Sequence, residues 1–133
     1  MTRQIISIAA YTILLSAILF AALTPGAIGE IVEDGPTRHI LAFTTLSIAA
    51  ICLWPNASLV AMWIGISTFG GTIELLQGAM KLGRQADWAD LGLDMVAASA
   101  AFALCILMRP LAMRMISGGG AYLRGWRNRP SVR

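Results

Sequence analysis

Residues 57–80 read ASLVAMWIGISTFGGTIELLQGAM, and Glu74 is the one charged residue among them. As a helix rising 1.5 Å per residue, such a stretch spans roughly 36 Å, enough to cross a hydrocarbon core of about 30 Å. A carboxylate inside that core costs about 2.5–3.5 kcal/mol on insertion scales, so it belongs on a packed or water-filled face. The segment therefore predicts a membrane helix whose functional face is marked by Glu74.

The same apolar character recurs at residues 5–24, 36–54 and 89–108. Of the 133 residues, 57% are hydrophobic and 13% charged, about half the charged fraction of an ordinary soluble domain. The expected fold is all-α: an integral membrane four-helix bundle over residues 1–109, followed by a basic, flexible tail over residues 110–133. Reading the first segment as a secretory signal is disfavoured, because its apolar run is longer than a usual signal core. Cys52 and Cys105 fall inside spans and read as small buried hydrophobes, not as a disulfide or metal framework.

Charge sets the expected orientation. Arg3 precedes the first span, while Arg109, Arg114, Arg124, Arg127, Arg129 and Arg133 follow the fourth. The positive-inside rule then makes both termini cytoplasmic. Every acidic residue falls on the opposite side: Glu30, Glu33 and Asp34 in the first outer loop, Glu74 late in span three, and Asp87, Asp90 and Asp94 at the start of span four.

Helical spacing collects the polar residues. Glu74 and Gln77 share a face at i, i+3, with Gly70 one turn away; Asp90 and Asp94 share one at i, i+4. Pro36 suits the first turn of span two, placing His39 about one turn inside. His39, Glu74, Gln77, Asp90 and Asp94 are expected to converge near the outer surface, with Arg84 in the loop above. Gly70 and Gly71 are expected to admit a neighbouring helix, against the small-residue stripe Ala97, Ala98, Ala101 and Cys105.

Bland roles compete with a site. His39 can serve as an interfacial hydrogen-bonding residue, Gln77 and Asp90 as helix caps or interhelical bonds, and Asp87 with Arg84 as an exposed pair of little energetic weight. Glu74 and Asp94 lie a turn or more within spans and are harder to account for that way.

The order Leu23-Thr24-Pro25, Asp34, Arg38-His39, Glu74-Leu75-Leu76-Gln77, and Arg84 six residues before Asp90 resembles the VanZ-like membrane proteins. The family pattern has an Asp-Lys pair before a His opening the second helix, Glu-x-x-Gln near the end of the third, and Arg, spacer and Asp leading to Asn-x-x-Gly in the fourth. The resemblance covers residues 23 to about 102. Here Gly35 replaces the lysine, with Arg38 as the displaced basic residue, and Asp94 and Ala97 stand where Asn and Gly are usual. The resemblance implies a multi-pass inner (cytoplasmic) membrane protein of the cell envelope, linked to glycopeptide resistance of the teicoplanin type.

On that footing the expected function is binding or handling of a lipid-linked glycan precursor or an anionic lipid head group. Candidate ligand-binding residues are His39, Glu74, Gln77, Arg84, Asp90 and Asp94. An intramembrane hydrolase or transferase would draw its catalytic groups from His39, Glu74 and Asp90, although no serine or cysteine has a nucleophile's setting. A proton-linked transport or regulatory subunit is a further alternative, one that would require a homo-oligomer. No metal or other cofactor is expected, since there is no second His and no recognisable ligand spacing. Membrane lipids are expected partners. Nucleic acid is not, because the arginine tail is short and carries only Tyr122 and Trp126 as stacking residues.

Overall fold

In the computed structural model, the described residues are 1–24, 35–80 and 87–127 for the backbone, with side chains described through Met108. They form α1 (Thr2–Leu23), α2 (Gly35–Leu53), α3 (Leu59–Met80) and α4 (Trp88–Arg127). Four helical stretches are long and apolar enough to cross a membrane: Thr2–Leu23, Gly35–Leu53, Leu59–Met80 and Trp88–Met108. The chain is a multi-pass membrane protein. The helices match the expected spans to within a few residues at each end, except that α4 continues as helix past Met108 to Arg127.

Local chemistry explains the helix ends. Thr24 leaves the helical conformation at the end of α1, its backbone N–H and its Oγ1 both donating to the Phe20 carbonyl. Ser58 Oγ accepts from the Ala61 N–H at the start of α3, as a serine N-cap does. At α4, Asp87 Oδ1 accepts from the Ala89 N–H, and the Asp87 carbonyl accepts from Asp90 N–H at 3.1 Å.

The chain divides into residues 1–102 and residues 103–133. In the second unit the described backbone is helical through Arg127. In the first, Phe43, Leu46, Ala50, Ile66, Ile73, Ala97, Ala98 and Phe102 make one buried cluster drawn from α2, α3 and α4. Tyr11, Leu14, Leu15 and Ile18 of α1 pack against it. The surface is inverted relative to a protein in water. Ile5, Ile13, Phe20, Leu41, Val60, Leu75, Val96 and Leu107 are all more than half exposed, an apolar coat suited to hydrocarbon. On one side lies an apolar groove of about 440 Å³, lined by Tyr11, Leu15, Ala50, Trp54, Phe69 and Thr72 among others.

Two sequence expectations change and one holds. Cys52 is exposed and Cys105 only half-buried, so the first cysteine faces the surroundings of the bundle. Gly70 does admit its neighbours closely: Asp94 Oδ2 lies 2.8 Å from where its Cβ would lie and the Phe43 ring 3.1 Å. Gly71 does not, since among the described residues no atom beyond its own helix backbone and chain neighbours lies within 4 Å of its Cβ position. Consecutive helical residues point about 100° apart, so only one glycine of such a pair can meet a given neighbour.

Candidate functional site

The site lies at the bundle end that holds the last turns of α1 and α3 and the first turns of α2 and α4. α2 contributes His39, which sits one turn above Phe43 with the two rings nearly parallel, 9° apart at a centroid distance of 6.4 Å. Phe43 is 1% exposed and forms an apolar floor with Phe69, whose ring centroid is 6.3 Å away. Polar interactions directly above this floor are shielded from water, which strengthens them relative to a surface pair.

His39 is held from both sides by α4. Its Nδ1 lies 2.8 Å from Asp94 Oδ1 and its Nε2 lies 3.4 Å from Asp90 Oδ2. With Asp94 as carboxylate, Nδ1–H is the donor; Nε2 faces Asp90, donating to it when the imidazole is protonated and offering its lone pair to a ligand when it is neutral. The one-turn spacing of Asp90 and Asp94 lets the two carboxylates flank a single imidazole. Exposure differs sharply between them: the Asp94 side chain is 0% exposed, His39 14% and Asp90 27%. Access to the cluster therefore runs past Asp90 and His39, with Asp94 behind them.

α3 contributes Glu74, which is 0% exposed. Its Oε2 accepts the Asp87 backbone N–H at 2.7 Å. Carboxylates are favoured there, because a helix N-terminus presents unpaired N–H groups and the positive end of its dipole. Glu74 Oε1 and Asp94 Oδ2 are buried with no hydrogen-bond partner among the described residues. One donor atom each from His39, Glu74 and Asp90 lies within 4.8 Å of the others.

Among the expected site residues, His39, Glu74, Asp90 and Asp94 thus come together. Gln77 turns elsewhere: its Nε2 donates to the Ala22 carbonyl at 3.0 Å, tying α3 to the last turn of α1. Arg84 and Asp34 lie outside the described residues. Sequence reasoning missed the part played by Asp87, which caps α4 with its side chain and donates its backbone N–H to Glu74. The signal was present as Asp87-x-x-Asp90 opening an apolar run, a variant of the capping-box pattern.

Comparison with protein-family models, with curated proteins and with solved structures finds no match for this chain. The functional reading accordingly rests on the cluster itself.

Proposed function

We propose that the cluster binds the polar part of a membrane-embedded envelope component, such as a lipid-linked glycan precursor or an anionic lipid head group, in a VanZ-like inner-membrane protein that contributes to teicoplanin-type resistance. The observation that carries this reading is the buried carboxylate oxygen Glu74 Oε1, which has no hydrogen-bond partner among the described residues. Interhelical hydrogen bonds in membrane proteins are worth only about 0.6 kcal/mol each, too little to account for an acid enclosed with an unused acceptor. Such a cluster suits donation from a ligand's hydroxyl or amide groups. The part-exposed edges of His39 and Asp90 offer the approach.

The apolar groove of about 440 Å³ shares no residue with the cluster and extends toward Trp54 at the other end of α2, so the charge pattern is the further support. With six arginines after the fourth span and one before the first, the positive-inside rule favours cytoplasmic termini and an outward-facing cluster. In this reading Arg84, near Lys81 in sequence, supplies a guanidinium for phosphate.

Photo-cross-linking with a light-activated lipid-linked precursor tests the proposal. Labelling of the wild type should fall at least severalfold in Asp90→Asn and Arg84→Ala; equal labelling of wild type and both variants overturns it.

The His39–Asp94 pair favours a second reading, an intramembrane hydrolase or transferase in which a buried carboxylate orients a histidine base. Turnover of a lipid-linked phosphate that disappears in His39→Gln while lipid labelling persists would favour it over binding alone.

A further inference from the structure

We infer that His39 Nε2, Glu74 and Asp90 form a binding site for a divalent first-row metal ion such as Zn²⁺ or Mn²⁺, with Asp94 as the group that orients the histidine. The three donors come from α2, α3 and α4 and lie far apart in sequence, so no ligand spacing announces them. Folding brings one ligand atom of each within 4.8 Å of the others.

Three independent features favour a cation there. The first is the use of the imidazole. A metal-bound histidine almost always gives its other ring N–H to a carboxylate, fixing the tautomer and raising ligand basicity. His39 has that arrangement, with Nδ1 2.8 Å from the fully enclosed Asp94 and Nε2 turned toward the acids.

The second is spacing. Zn–N and Zn–O bonds of about 2.1 Å at a tetrahedral angle separate two ligand atoms by roughly 3.4 Å. His39 Nε2 and Asp90 Oδ2 are 3.4 Å apart, long for a hydrogen bond and well suited to two ligands of one ion.

The third is Glu74, which is 0% exposed and has Oε1 without a hydrogen-bond partner among the described residues, while Oε2 is held by Asp87 N–H. A buried acceptor left unpaired is costly, and coordination would satisfy it. Two carboxylates balance a divalent charge, which suits a site enclosed by helices. One imidazole with two carboxylates lies between the donor sets of zinc and manganese. Three protein ligands also leave a position open for water or a ligand oxygen, as in catalytic zinc sites.

Metal binding is measured without any lipid, so its outcome is separate from the cross-linking result. The full-length chain, purified in detergent and stripped with a chelator, is titrated with Zn²⁺ and, separately, with Mn²⁺. One ion per chain is expected for at least one of the metals. Affinity should fall at least tenfold in Glu74→Gln and in Asp90→Asn, and 10–100-fold in Asp94→Asn, the range for loss of an orienting carboxylate. Co²⁺ loaded in place of Zn²⁺ should show visible absorption that weakens in His39→Gln. Helicity and a single elution peak identify the variants that remain folded. Asp90→Asn, at the part-exposed edge of the cluster, keeps the test open if Glu74→Gln does not fold. The inference is overturned if the folded wild type binds neither metal at one equivalent, or if every folded variant binds like the wild type.

Discussion

The polar side chains within residues 1–102 are wired in two ways. Along the helix shafts, Ser47, Thr68, Thr72 and Ser99 each return a hydroxyl to the carbonyl four residues earlier in the same helix, at 2.7–2.8 Å. At the bundle end, His39 reaches Asp94 and Asp90, Glu74 reaches the start of α4, and Gln77 reaches α1. Hydroxyls of the first group are satisfied whether or not the helices assemble. The imidazole, carboxylates and amide of the second group find these partners only in the assembled bundle, so register and pairing information is concentrated there. The division has exceptions on the shafts: Trp63 Nε1 crosses to Ser99 Oγ at 3.0 Å, Tyr11 OH crosses from α1 to the Leu46 carbonyl at 3.4 Å, and the buried Ser67 Oγ has no partner among the described residues.

The strongest way to break this contrast is to remove one member of the buried pair. His39→Ala leaves Asp94, 1% exposed, without its imidazole, and leaving a buried carboxylate without its hydrogen-bond donor costs about 3 kcal/mol. Thermal or denaturant unfolding in detergent should show a loss near that size, with much of it recovered in the double variant His39→Ala/Asp94→Ala. Equal stability of the wild type and the single variant would show that the pair contributes nothing to assembly.

A smaller effect separates the adjacent glycines. In Gly70→Ala the added methyl lies 2.8 Å from Asp94 Oδ2 and 3.1 Å from Phe43. Overpacking of this kind costs about 1–3 kcal/mol, offset by a gain of up to about 1 kcal/mol in helix propensity. Because Asp94 must move, the variant should also weaken the hold on His39. Gly71→Ala meets no atom of another helix within 4 Å among the described residues and should be neutral or stabilising by about 0.5–1 kcal/mol. Unfolding measurements on the two variants check the difference, and equal changes would contradict the close approach at Gly70.

The smallest effect is expected on the shafts. Thr72→Val removes a bond from an exposed hydroxyl to its own helix, and should change stability by less than about 0.5 kcal/mol. A larger loss would mean that the shaft hydroxyls also hold the bundle together.

Much of this architecture was legible in the sequence because membrane spans need only length and apolarity. Residues 57–80 contain α3 in full, and the i, i+4 spacing of Asp90 and Asp94 put both on one face of α4, the face that meets His39. The rest depended on the rotation of each helix about its axis. Spacing placed Gln77 beside Glu74, yet one side chain reaches α1 and the other α4. For the glycines spacing did better: it set Gly70, not Gly71, one turn from Glu74, and Gly70 is the one that meets Asp94 and Phe43. The metal-donor geometry was hidden because its members belong to three helices and no local pattern joins them.

The contact between Glu74 and residue 87 is chemically one-sided. Glu74 brings a side chain to it, whereas position 87 brings only its main-chain N–H. Every amino acid except proline carries that N–H. Substitutions at 87 can therefore erase the helix cap while leaving the link to Glu74 in place, whereas any replacement of Glu74 by a residue without an acceptor removes the link. The genetic vulnerability of this two-residue junction falls almost wholly on one codon, and a scan of all substitutions at both positions would show tolerance at 87 beside intolerance at 74.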